Sequence, residues 1–301
     1  MTEARIHDTG YRKFEGERRP VWWAILDLAK HGVQRVLGLK RKGKHKLLPF
    51  AIIVAAFLPA IVIVGLAVMN PFDDLSDRGP QFNDVSDVGP QLGEYFGFIS
   101  LLVVLFVSFV SPEALCTDRR TGMLGLYLAS PLTRDTYLLG RFAGLFAVIA
   151  FIASGPQLLI LAATGFEGSG PDNVLGYLSE FARIVAAGFL VALLLTTVGM
   201  AISSLTARNG IASALIVITL MTLAAVTGAL IEGGGVADEF AVFNVVGLAE
   251  SVGRRIFGEP PHSDVGTEVL ATPLVIFAAL AWSTAAITFC RFRYQRIDVR
   301  Q

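Results

Sequence analysis

Cysteine and histidine are scarce in this chain of 301 residues. Two cysteines occur, Cys116 and Cys290, with four histidines, His7, His31, His45 and His262. Neither type recurs at metal-ligand spacing, and two thiols build no disulfide framework. No Gly-x-x-x-x-Gly-Lys-Ser/Thr loop occurs, so the chain offers no phosphate cradle of that kind. His-Glu-x-x-His and Gly-x-Ser-x-Gly are missing too, which removes the commonest hydrolase signatures. The most telling scarcity is positional: long stretches carry no ionised side chain at all.

Those stretches fall at roughly 48–70, 95–111, 142–164, 184–206, 210–231 and 269–290. Most hold about 20 residues, enough to cross ~30 Å of hydrocarbon. The second, at about 17, is short and needs its flanks or a local thinning of the bilayer. Hydrophobic residues make up 53% of the chain and mean hydropathy is +0.61, high for a soluble domain. The expected fold is an all-α polytopic membrane protein with six transmembrane helices.

Charge gives orientation. All but four of the 25 Lys and Arg lie before the first span, between the second and third, between the fourth and fifth, or after the sixth. The exceptions are Arg78, Arg183, Arg254 and Arg255. Basic residues near span ends are retained in the cytoplasm, so both termini are expected inside. The opposite loop, 71–94, is acidic and repeats Asp-x-Gly-Pro-Gln at Asp77–Gln81 and Asp87–Gln91. It reads as a solvated loop with two similar turns. The organisation is therefore a cytoplasmic N-terminus (1–47), a six-span domain (48–290) and a basic tail (291–301).

Ahead of the first span, residues 21–37 segregate at helical period. Trp22, Ile25, Leu26, Ala29, Val33, Val36 and Leu37 share one side; Asp27, Lys30, His31, Gln34 and Arg35 occupy the other. Such a helix suits the interface plane, as an elbow before the first span. The cluster Lys40-Arg41-Lys42-Gly43-Lys44-His45-Lys46 would then meet anionic lipid headgroups. Its polar side is free to face a cytosolic partner.

Within the spans the polar groups are hydroxyls and amides, among them Gln157, Thr196, Thr219 and Thr222. Ion-coupled carriers place charged residues there, so the driving force is expected from outside the chain. A carrier with backbone ion sites, or a membrane scaffold without an ATPase partner, is the alternative. Pro59 and Pro156 interrupt helix hydrogen bonding and are candidate kinks beside a pathway. Gly140-x-x-x-Gly144 permits close helix approach.

Segment 112–141 is the most distinctive. Glu113, Asp118, Arg119 and Arg120 come first, then Gly122 and the apolar run Met123, Leu124, Leu126, Tyr127 and Leu128, closed by Ser130-Pro131. Apolar side chains rimmed by charge mark a contact surface. The order Arg-Arg-Thr-Gly-Met-Leu-x-x-Leu, Ser-Pro-Leu-Thr-Arg and Gly-Arg resembles type-2 ATP-binding-cassette (ABC) permeases. That family carries Glu/Asp-Arg-x-x-Gly-Thr-Leu, Pro-x-Ser/Thr-Arg and Gly-Lys; here Met123 replaces Thr and Arg141 replaces Lys. The resemblance extends over the elbow, the six spans and the long segment between spans five and six.

The resemblance implies a coupling helix near 119–129 resting on a separate ATPase subunit, with Arg134 at its rim. It also implies a second permease subunit, related or identical. ATP and Mg would bind the partner ATPase, and this chain is expected to hold no cofactor, catalytic site or metal, and to meet no nucleic acid. Truncating Leu124 or Tyr127 is expected to weaken docking more than any change at Arg134. Between spans five and six, 236–257 is expected to be one helix, either a partly re-entrant cap, as the resemblance implies, or an amphipathic surface helix. The expected function is an exporter of an amphipathic or lipid-like substrate in the cytoplasmic membrane of a prokaryotic cell.

Overall fold

The computed structural model describes residues 20–39, 44–69, 92–93, 95–129, 132–167, 171, 173–233, 237–259, 267 and 270–297. The acidic repeats at 77–91, Lys40 to Gly43 of the basic cluster, and Ser130-Pro131 lie outside them. Among the described residues all regular structure is helical: α1 (Val21–Val36), α2 (Lys44–Met69), α3 (Tyr95–Arg120), α4 (Met123–Leu128), α5 (Arg134–Glu167), α6 (Val174–Ser203), α7 (Asn209–Glu232), the 3-10 turn Asp238–Phe243, α8 (Val245–Ile256) and α9 (Thr272–Gln295). Six of these helices, α2, α3, α5, α6, α7 and α9, are long and apolar enough to span a bilayer.

Three helices run well past the expected span ends. α3 continues from 111 to Arg120, α5 begins at Arg134 rather than 142, and α6 begins at Val174 rather than 184. Hydropathy marks only the part of a helix that sits in hydrocarbon. The polar extensions keep their own supports, such as the Arg183–Glu180 pair at 2.8 Å along α6. Pro112 lies within α3 and removes one backbone hydrogen bond without ending the helix. The second span is therefore not short, and Glu113 and Asp118 ride on the spanning helix itself.

α6 is the hub of the bundle. It packs against α5, α9, α8 and α3, and 72% of its most apolar window is buried. α2 and α7 are peripheral, at 17% each. Most of their apolar side chain is therefore turned outward. Tyr95 on α3 donates to the carbonyl of Ala56, one turn before Pro59, and so ties α2 to the bundle.

The segment after α7 is broken where one helix was expected. The 3-10 turn ends at Asn244, whose Oδ1 accepts from the Gly247 amide at 2.9 Å and caps the start of α8. α8 is not a surface helix. Val245, Leu248, Ala249 and Val252 are buried, and it packs among α3, α6, α7 and α9. Arg255, near its end, donates to Thr267 O at 2.6 Å and Thr272 Oγ1 at 3.1 Å. Partial burial lowers the pKa of that guanidinium.

Candidate functional site

The polar groups of the chain converge at the end of the bundle where α3 meets α4. Asp118, in the last turn of α3, is only 2% exposed. Its Oδ1 accepts from Arg35 Nη1 of α1 at 2.5 Å. Its Oδ2 accepts from the Tyr137 hydroxyl at 2.8 Å and from Arg141 Nη2, both on α5. Arg141 is equally buried and also donates to the Tyr127 hydroxyl of α4 at 3.3 Å. Its guanidinium lies 5.3 and 5.5 Å from the Tyr127 and Tyr137 ring centroids, within cation–π range. One carboxylate thus ties α1, α3 and α5 together, and Arg141 and Tyr127 bring in α4.

A second layer fastens helix ends. Arg119 Nη1 donates to Ser204 O at 2.8 Å and Thr206 O at 3.2 Å, beyond the C-terminus of α6. Arg134 Nη1 does the same for Tyr294 O at 3.0 Å and Gln295 O at the end of α9. Cations favour helix C-termini because the last carbonyls lack intrahelical partners and carry the negative end of the dipole. Asn209 Nδ2, at the start of α7, donates to Thr117 Oγ1 at 3.1 Å and Glu113 Oε1 at 3.4 Å. Arg35 Nε stands 3.9 Å from Glu113 Oε2.

α1 reaches this hub because α5 lets it come close. A Cβ on Gly144 would lie 2.6 Å from the Ala29 carbonyl oxygen, and one on Gly140 would lie 2.8 Å from Leu28 Cδ2. The small-residue pair therefore serves contact with α1. Leu28, Gly32 and Val36 form the buried side of that helix. Of the expected elbow face, Trp22 and Leu26 are exposed, Ile25, Ala29, Val33 and Leu37 are half-buried, and Val36 is buried. The apolar stripe is shared between the protein and the surroundings, and Arg35, expected to face the cytosol, turns inward.

The short helix α4 follows a two-residue turn in which Gly122 has φ 69°, a left-handed conformation that other residues adopt only with strain. On α4, Leu126 is 65% exposed and Met123 39%, whereas Leu124 is 6% exposed. Leu124 is therefore an inward anchor, and Tyr127 is half-buried against Arg141. The expectation that Leu124 and Tyr127 present the contact surface is corrected: at helical spacing, Met123 and Leu126 point outward. The charged rim is corrected too. Asp118 is internal, Arg119 and Arg134 bind helix ends, Glu113 is half-buried, and Arg120 is exposed.

The deeper candidates do not form one constellation. Gln157, fully buried after Pro156, donates to Leu92 O at 3.1 Å, while its Oε1 has no hydrogen-bond partner among the described residues. Thr196 Oγ1 is likewise buried without one. Thr222 is exposed on α7, and Pro59 and Thr219 are half-buried. Between α3, α6 and α8 the free space is only about 10 Å³. Arg35, Tyr137, Arg141 and Asn209 are the site residues that sequence reasoning missed.

Six spanning helices with a polar hub at one end define a polytopic helical membrane protein. Residues 70–241, more than half of the chain, match the family described as ABC-2 family transporter protein. The chain belongs to that family and is an ABC transporter permease. The match takes in α3 to α7 and hence most of the hub. No curated protein matches the chain.

Proposed function

We propose that this permease exports an amphipathic or lipid-like substrate and is driven by a separate ATPase subunit that docks on α4. The observation that carries the reading is the two-sided character of α4. Met123 and Leu126 face outward as unburied apolar side chains, while Leu124 is buried in the core and Tyr127 fastens the same helix to the Asp118–Arg141 pair. A force applied to the outer side reaches α1, α3 and α5 through that pair without crossing flexible chain. Closure of two ATPases on ATP and Mg would move α4, and the hub would convert that movement into a shift of the spanning helices. A second permease chain would complete the pathway, against the apolar sides that α2 and α7 leave uncovered.

The hub, α4 and the Arg-rich ends of α5 and α9 are assigned to the cytoplasmic side on the charge asymmetry, with both termini inside. α1 would lie along that surface, with Trp22 and Leu26 in the interface. Lipid-like cargo is favoured by the apolar stretches of the spans away from the hub, which carry hydroxyls and amides in place of charges.

The test places a photo-crosslinking amino acid at position 126 or 124 in cells. Crosslinks from 126 to an ATP-binding protein, with none from 124, support docking on the outer side of α4. Crosslinks from 126 to lipid alone reject it and favour an ion-coupled carrier or scaffold.

A further inference from the structure

We propose that the groove between α6 and the Arg-bearing ends of α5 and α9 is a binding site for one anionic phospholipid, distinct from the docking surface on α4. It is a cavity of about 380 Å³, inside the roughly 300–1,000 Å³ range of small-molecule pockets. Its walls are Leu138, Leu139 and Phe142 of α5, Met200 of α6 and Ile287 of α9, with Asp135 and Arg291 at the rim. Asp135 and Phe142 are about 10 Å apart along the helix, most of the ~15 Å hydrocarbon depth of one leaflet. The rim therefore lies at headgroup level when the walls lie among acyl chains.

The occupant follows from charge. Arg291 spans Asp135 through Nε to Oδ1 at 3.0 Å and Nη2 to Oδ2 at 2.8 Å, and both side chains remain about half exposed. That contact occupies one edge of the guanidinium fork and leaves its other N–H donors accessible. Arg293 and Arg296 follow on the same helix end, both exposed, with Arg296 stacked 3.8 Å from the Phe292 ring centroid. Arg291 is the guanidinium that borders the groove, and Arg293 and Arg296 stand on other sides of the same helix end, so the surroundings of the rim carry more positive than negative charge above an apolar groove. A phosphodiester with an acyl chain below it complements both parts. A zwitterionic lipid meets the groove but offsets the rim charge with its own cation.

The test uses the purified full chain in detergent micelles, titrated with phosphatidylglycerol or phosphatidylcholine and read by native mass spectrometry. The wild type is expected to retain one phosphatidylglycerol in preference to phosphatidylcholine. Arg291→Gln is expected to weaken phosphatidylglycerol about five-fold, the value of one headgroup cation, and Asp135→Asn to tighten it by a similar factor. Leu139→Trp, at a side chain 53% exposed and outside the hub, is expected to fill the groove and lower retention of both lipids. Soluble glycerol 3-phosphate is expected not to compete, since it lacks the chain. Equal retention of the two lipids by the wild type overturns the anionic assignment. Phosphatidylglycerol binding unchanged in both Arg291→Gln and Leu139→Trp places the lipid elsewhere and overturns the site.

Discussion

Replacing Asp118 by Asn keeps the shape of the hub and removes its charge. The change leaves Arg141, 2% exposed, inside the bundle without its carboxylate, and it strips Arg35 of its closest anion. Breaking a buried pair from one side costs about 3–5 kcal/mol, because the surviving charge stays desolvated. The tyrosine hydroxyls remain, and the Arg141 guanidinium still faces two aromatic rings, which returns part of that cost, about 1 kcal/mol per face. A net loss of about 1–3 kcal/mol is expected in a reversible unfolding titration in mixed micelles. Arg35→Gln should cost less, since Arg35 reaches the surface. The double change Asp118→Leu with Arg141→Leu should recover much of the loss, because a buried pair replaced by apolar side chains is often neutral. Asp118→Asn at under about 0.5 kcal/mol, the scale of exposed pairs, would falsify the hub as a buried brace. So would a double variant no better than the single one.

Further outcomes follow from the same geometry. Gly144→Ala drives a methyl into the Ala29 carbonyl and should cost about 1–3 kcal/mol while raising protease cleavage in α1; unchanged cleavage contradicts the close approach. Arg119→Ala uncovers the carbonyl of Ser204 and leaves that of Thr206 only the weak Cys116 thiol donor, and amide exchange near 201–206 should quicken by about ten-fold, equivalent to ~1.4 kcal/mol of lost capping. Gly122→Ala forces a side chain into a left-handed turn, at about 1–2 kcal/mol. Its methyl meets no other atom, so any loss measured by unfolding is conformational.

Which parts could be read from sequence follows from the range of each interaction. Spans are written in single runs of residues, so six helices and the charge asymmetry are legible without any contact. Helix ends are not, because a polar extension such as 112–120 looks like a loop until its partners are known. Asn244 could have marked the start of α8, since Asn is a favoured N-cap. The hub is the least legible part: Arg35, Asp118 and Arg141 lie on three helices, and each alone looks like a solvated charge. Helical period did hold a signal on α4, since Met123 and Leu126 are three apart and Leu124 falls on another side. Treating the run as one surface hid it.

The account rests on α4 as the place where a separate ATPase drives this permease. The most direct measurement is purification of the chain from native membranes in mild detergent, wild type beside Leu126→Asp and Asp118→Asn. The account predicts a stoichiometric ATP-binding protein with the wild type, its loss with Leu126→Asp at unchanged stability of the permease, and its retention with Asp118→Asn despite a less stable bundle. An ATP-binding protein retained undiminished by Leu126→Asp, or none with the wild type, contradicts it.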